Sequence, residues 1–161
     1  HRLRDLYNED IVLTAMINKV PICVEKVQSS NILRMTSQVG HVSSMTRGST
    51  GKVLLAWQPE NFVKETLDRL FPSTKEGRDA RDHLEAELKM IRSQGYCISI
   101  SEQDEGVASV TVPIRNGNGV AEYSLAIIGS EMRIREKGLE HIQNEMLITS
   151  HHLEEERSLL C

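Results

Sequence analysis

Glycine, two hydroxyl residues, a second glycine and a lysine stand in a row at Gly48-Ser49-Thr50-Gly51-Lys52, leading into the apolar stretch Gly51–Trp57. These are the ingredients of a phosphate cradle. A nucleotide-binding loop, however, needs four residues between its glycines and Ser or Thr after the lysine. Here two residues separate Gly48 from Gly51, and Val53 follows Lys52. The spacing rejects that loop and leaves the start of a helix. Free backbone N–H groups and the positive end of the helix dipole can hold a small anion there, for example a carboxylate, with Ser49 and Thr50 beside it. The competing reading makes Ser49 or Thr50 only an N-cap for those same N–H groups.

The other chemistry-bearing residues do not group. His151 and His152 point to different sides of a helix, and neither His83 nor His141 has a His or Cys partner at i+3 or i+4. Each reads as a solvated histidine rather than a metal ligand. Glu154-Glu155-Glu156 reads as a solvated helix face. There is no Gly-x-Ser-x-Gly elbow, and no Cys stands in a motif with His, so no nucleophile has a base. An enzyme is not expected, and neither is a cofactor. Three cysteines without CxxC spacing (Cys23, Cys97 and Cys161) argue against a disulfide framework and for a reducing, cytoplasmic setting. Cys23 and Cys97 fall in expected strands, where buried, inert thiols are the rule.

The elements that must position these residues follow from periodicity. Leu3, Leu6 and Tyr7 suggest a short amphipathic helix within residues 1–9. Ile11–Asn18 and Ile22–Gln28 read as strands around an Asn18-Lys19-Val20-Pro21 turn, and Ile32–Thr36 as a third strand. His41–Thr50 is a polar loop. Pro59 opens a helix through Phe71 with Phe62, Val63, Leu67, Leu70 and Phe71 on one side. Arg78–Gln94 forms another on the stripe Ala80, Leu84, Leu88 and Ile91, with Gly95 as its natural stop. From Tyr96 the period becomes two. Tyr96–Ser101, Val107–Arg115 and Val120–Gly129 read as strands, separated by the acidic loop Glu102–Gly106 and the hairpin turn Asn116-Gly117-Asn118-Gly119. Pro113 places the middle one at an edge or marks a pause in its pairing. Beyond Gly129 the chain is helical, with Ile142, Met146 and Ile148 as its apolar positions.

The 161 residues suit one α+β domain with a core of its own. The longest apolar runs, Val53–Trp57 and Leu125–Ile128, fall far short of the ~20 residues that span a bilayer. Against 19 Lys+Arg stand 23 Asp+Glu, a net charge of −4. That balance argues against a direct grip on nucleic acid, as does an aromatic content of 4%, which leaves few platforms for bases. The chain lacks an initiator Met and opens inside a helix-like stretch, so it is expected to be part of a longer polypeptide.

Five segments, taken in order, resemble the C-terminal effector-binding domain of IclR-type bacterial transcriptional regulators. Gly51-Lys52-Val53-Leu54-Leu55-Ala56 is similar to that family's GKALLA, and Ile91-Arg92-Ser93-Gln94-Gly95-Tyr96 to its IRxxGY. Glu105-Gly106-Val107 matches the glycine opening its next strand, Val112-Pro113-Ile114-Arg115 its APV/I-R, and Ala126-Ile127-Ile128-Gly129 the end of the following strand. The resemblance implies a GAF-like (profilin-like) fold, a curved and mainly antiparallel sheet flanked by helices, with a small-molecule pocket on one side. It implies one effector-binding domain over 1–161, with 1–9 as the tail of a linker helix from an upstream winged helix-turn-helix. DNA would be met only through that upstream module, by a homodimer or homotetramer, under control of a small organic acid or aromatic catabolite. By the same resemblance the ligand carboxylate falls to Ser49 and Thr50. Ser99 and Ser109 take the polar positions, Ala126 and Ile128 replace two family serines, and Ile32 and Ser43 form pocket walls. The loss of hydroxyls at Ala126 and Ile128 points to a ligand other than glyoxylate or pyruvate. The alternative is a GAF- or PAS-like signalling module attached to something other than a DNA reader.

Overall fold

The period-two segments become strands of one sheet. In the computed structural model, which describes residues 1–31 and 38–159, β1 (Asp10–Ile17) and β2 (Val20–Val27) form the first hairpin. Asn18 and Lys19 both take positive φ, 49° and 67°, as a tight primed turn requires. Pro21 lies within β2, opposite Met16, rather than in the turn. Its carbonyl faces the outer edge and accepts the Ser43 N–H at 2.9 Å, so its missing donor costs the inner ladder nothing. The returning segment 40–43 closes that edge through Gly40 N–H to Cys23 O and Cys23 N–H to His41 O. The expected strand Ile32–Thr36 lies outside the described residues.

β3 (Cys97–Ile100), β4 (Val107–Arg115) and β5 (Ala121–Ser130) complete an antiparallel sheet of order β2-β1-β5-β4-β3. Pro113 is therefore in an interior strand. β3, however, pairs only with Ala108–Thr111, so beyond Thr111 one side of β4 has no neighbouring strand among the described residues. That is the expected pause, and it tolerates a residue without a donor.

Strict alternation along β4 sorts the two faces of the sheet. Ala108, Val110, Val112 and Ile114 point with Ile11, Leu125 and Ile127 to one side. There they meet Leu3 and Tyr7 of α1 (Arg2–Tyr7), Ile134 of α5 (Glu131–Glu136), and Ile142 and Met146 of α6 (Leu139–Ser158). Ser109 and Thr111 alternate with them and point to the other side. That side is covered by α2 (Ser49–Ala56), with α3 (Glu60–Leu70) and α4 (Lys75–Gln94) packed behind it. One face is thus an apolar core, and the other carries hydroxyls beneath a helix start.

Four apolar positions depart from the expected stripes. Leu6 is 54% exposed although Leu3 and Tyr7 are buried, because Leu6 projects ~100° round the helix from Tyr7. Leu70 and Ile148 also face solvent, as does Ala80. α4 begins three residues before Arg78, where the Thr74 hydroxyl caps it by accepting the Gly77 N–H at 3.1 Å.

The junction between α1 and β1 buries Glu9, a residue the periodicity did not single out. Its carboxylate accepts Arg133 Nε at 2.7 Å and Nη2 at 3.0 Å, and pairs with Lys137. This carboxylate lies against Gly129. A Cβ on Gly129 would sit 2.3 Å from Glu9 Oε2, so a side chain at 129 would displace the Glu9 carboxylate. Gly129→Ala is expected to break this ion pair and destabilise the chain by about 2 kcal/mol. Chemical denaturation checks this: adding Glu9→Ala to Gly129→Ala should produce far less further loss than Glu9→Ala alone.

Candidate functional site

The start of α2 is held by two local features. Gly51 lets the first turn press onto the backbone of the preceding loop: a Cβ there would stand 2.0 Å from Ser44 O. One residue on, Lys52 is 2% exposed yet charged, with Nζ 2.5 Å from Glu87 Oε1 of α4 and 2.7 Å from Glu102 Oε1 of the acidic loop. Burial opposes its charge, but hydrogen bonds to Glu102 and Glu87 outweigh that and hold its pKa above the ordinary lysine value. Burial likewise pushes Glu102 upward, and the hydrogen bonds from Lys52, Ser99 and the Gly48 N–H more than reverse it, leaving the carboxyl below the usual range. Glu102 therefore ties α2 to β3 as an anion, and Lys52 links that pair to Glu87 of α4.

Neither Ser49 nor Thr50 caps the helix. The N-cap is Gly48, which has no side chain to offer. The Ser49 hydroxyl turns instead to the sheet, 2.6 Å from Ser109 Oγ and 2.5 Å from Thr111 Oγ1. Strand register continues the polar row, because Ser99 on β3 stands opposite Ser109 on β4, and Ser109 opposite Ile128 on β5. Ser99 donates its hydroxyl to Glu102 Oε2 at 2.9 Å.

Above this row lies a cleft of about 50 Å³. Val12, Cys23, Val107 and Ile128 give it apolar walls, and the Gly48–Thr50 turn, Ser99 and Ser109 give it a polar end. His41, Ser43, Gln103 and Asp104 stand at its rim. Of the positions singled out in the sequence, Ser43, Ser49, Thr50, Ser99, Ser109 and Ile128 meet at this cleft. Ala126 does not line it; fully buried, it packs with Val12, Cys23 and Ile128. Ile32 lies outside the described residues.

The roles of Gln103, Asp104 and Lys52 are not legible in the sequence. Gln103 and Asp104 belong to the acidic loop Glu102–Gly106 expected between two strands, and the fold sets both in the lining of the cleft. Lys52 enters the sequence reading through the rejected phosphate loop and the GKALLA resemblance; a charged residue inside Gly51–Ala56, where all its neighbours are apolar or small, is the signal that it needs buried counter-charges. Cys23 and Cys97 are free and buried. Burial raises both thiols, that of Cys97 to about 12, so both stay protonated near neutrality. Among the described residues, no group of three or more His, Cys, Asp or Glu is placed to hold a metal, and no helix is long and apolar enough to cross a membrane.

Comparison with known proteins gives a consistent result. Residues 1–154 match the family model described as "Bacterial transcriptional regulator IclR C-terminal". The chain is 31% identical over 140 residues to the HTH-type transcriptional regulator KdgR of Escherichia coli K12, covering 86% of this chain and 53% of that protein. It is 32% identical over 136 residues to KdgR of Dickeya chrysanthemi, covering 83% and 45%. The chain thus spans about half the length of the curated relatives it matches. The crystal structure of a transcriptional regulator from Rhodococcus sp. RHA1 superposes with a TM-score of 0.83 at 24% identity, over 96% of this chain and 64% of that one.

Proposed function

The chain belongs to the IclR family of bacterial transcriptional regulators, as its C-terminal effector-binding domain, and from that premise we propose that the cleft beside α2 captures the carboxylate of a small organic acid. The family is one of regulators, not enzymes. The supporting observation is the convergence of the α2 N-terminus, whose first turn has backbone N–H groups without intrahelical partners and a positive dipole end, with Ser49, Ser99 and Ser109 in the lining of a half-apolar cleft. The carboxylate docks at Ser49–Thr50, Ser99 and Ser109 orient the remainder, and Ile128 and Val12 exclude water.

In the full-length regulator, DNA is read by an upstream winged helix-turn-helix in a homodimer or homotetramer. Such a protein works in the cytoplasm, where Cys23 and Cys97 stay reduced. Ligand occupancy reaches the reader through α1, which packs Leu3 and Tyr7 against the core under the sheet and connects through Glu9 to α5. That is a coupling free energy between two sites.

Thr50→Trp tests the reading. Thr50 is half-buried and lines the cleft, so an indole there is expected to fill the space while leaving the Ser49–Thr111 hydrogen bond in place. The expected result is loss of effector response with operator binding of the intact regulator retained, measured by electrophoretic mobility shift. An unchanged response removes Thr50 and this cleft from effector recognition.

A further inference from the structure

The cleft is narrow, and its walls are not equally free to give way. It holds about 50 Å³, well below the roughly 150 Å³ that takes up a benzene-sized guest. A ring or a longer carbon chain therefore needs more room. Most of the lining is fixed. Val12, Cys23, Ser99, Val107, Ser109 and Ile128 belong to hydrogen-bonded strands, and Ser49 is tied to Ser109 and Thr111.

The rim is different. There the acidic loop meets the turn before α2, and exposed side chains join the two. Arg47 reaches across with Nη2 and donates to Glu102 O at 2.8 Å, although it does not itself line the cleft. From the other side Gln103 leans onto Gly48, where a Cβ would stand 2.8 Å from Gln103 Oε1. Arg47 and Gln103 are both exposed on their outer sides, and the Gln103 amide makes no hydrogen bond among the described residues. Beneath them the loop is anchored. The Glu102 carboxylate accepts Lys52, Ser99 and the Gly48 N–H, and the loop ends meet where Gly106 N–H donates to Ser101 Oγ at 3.0 Å. The two rim side chains can swing aside while the backbone under them stays in place.

We propose that Arg47 and Gln103 form a clasp over the cleft, and that the effector enters when these two side chains swing aside. The proposal rests on the cleft being the effector site. Exposed side chains change rotamer quickly, so the ease of opening is set by the Arg47–Glu102 hydrogen bond and by the packing of Gln103 on Gly48. Glycine at 48 suits this contact as well as its φ of 74°, because a side chain there would push the Gln103 amide off the rim.

Cys23 reports on the clasp without any effector. Its buried thiol stands in the cleft wall, whereas Cys97, equally buried, packs behind α2 and does not line the cleft. Alkylation by iodoacetamide at about pH 8.5, where thiolate is available, gives a rate at each cysteine when followed peptide by peptide by mass spectrometry. Gln103→Ala and Arg47→Ala are each expected to raise the Cys23 rate roughly 5-fold or more and to leave the Cys97 rate unchanged, because local opening exposes one thiol and global unfolding exposes both. Equal acceleration at both cysteines would show a loosened domain and overturn the clasp. So would an unchanged Cys23 rate in either variant. The Thr50→Trp response decides the effector reading separately, so an effector cleft without a clasp and a clasp without an effector role give different results.

Discussion

Gly51→Ala is expected to lower the melting temperature by roughly 6–12 °C, the thermal equivalent of about 3 kcal/mol in a domain of this size. Helix propensity predicts the opposite sign, because alanine is favoured over glycine inside a helix by about 1 kcal/mol. Local contact decides the outcome. The methyl group would meet Ser44 O at 2.0 Å and Met45 Cα at 3.1 Å, and both are backbone atoms that cannot rotate away. The helix start must then lift from the loop, and Ser49 moves away from Ser109 and Thr111. Loss of ligand binding should accompany the loss of stability. Differential scanning calorimetry provides the check, and a melting temperature equal to or above that of the parent would show that the helix does not press on this loop.

The second large effect is Lys52→Met. Methionine keeps most of the volume but leaves the carboxylates of Glu87 and Glu102 without their shared cation. Removing one partner of a buried ion pair costs about 3–5 kcal/mol. Here Glu87 and Glu102 are 24% and 33% exposed and can turn to water, so a loss of about 2 kcal/mol is expected. The pH dependence identifies the cause. Glu102 has its folded pKa below the ordinary value, so its contribution is present above about pH 4.3 and is lost as pH falls through the folded value. Lys52 has its pKa raised, so its contribution is complete below about pH 10.4 and is lost as pH climbs past the folded value. In Lys52→Met both limbs should flatten: stability measured by urea denaturation falls less steeply from pH 5 to pH 3, and less steeply above pH 10. A variant with the same acid slope as the parent would mean that Lys52 does not hold Glu102.

Much of this architecture was legible because the signals are local. The Val107–Arg115 alternation, the Asn116–Gly119 turn and the Gly95 helix stop each depend on a few adjacent residues. The ordered motifs from Gly51 to Gly129 pointed to the family that the comparisons establish. The misses follow the same logic. Ala80 and Leu6 sit on apolar stripes by spacing, yet they face solvent because nothing packs over them at those angles. A helical stripe says which residues share a side; only the neighbouring elements determine how much of that side is covered.

The sequence by itself determined the strands β1 to β5 to within a few residues, the acidic balance and the helix start at Ser49–Thr50, since each depends on composition, backbone preference or side-chain periodicity within a few residues. Tertiary structure alone decided what that turn does. Ser49 chose Ser109 and Thr111, 60 and 62 residues away, over its own helix N–H groups. The loop between the neighbouring strands β3 and β4 set Gln103 and Asp104 at the cleft, and Lys52, far from solvent, found counter-charges 35 and 50 residues away. The physical reason is that hydrogen bonds and ion pairs carry no sequence-distance signature. A hydroxyl or a lysine bonds with whatever partner the folded sheet brings within 3 Å or so, and that proximity does not exist until the chain is packed.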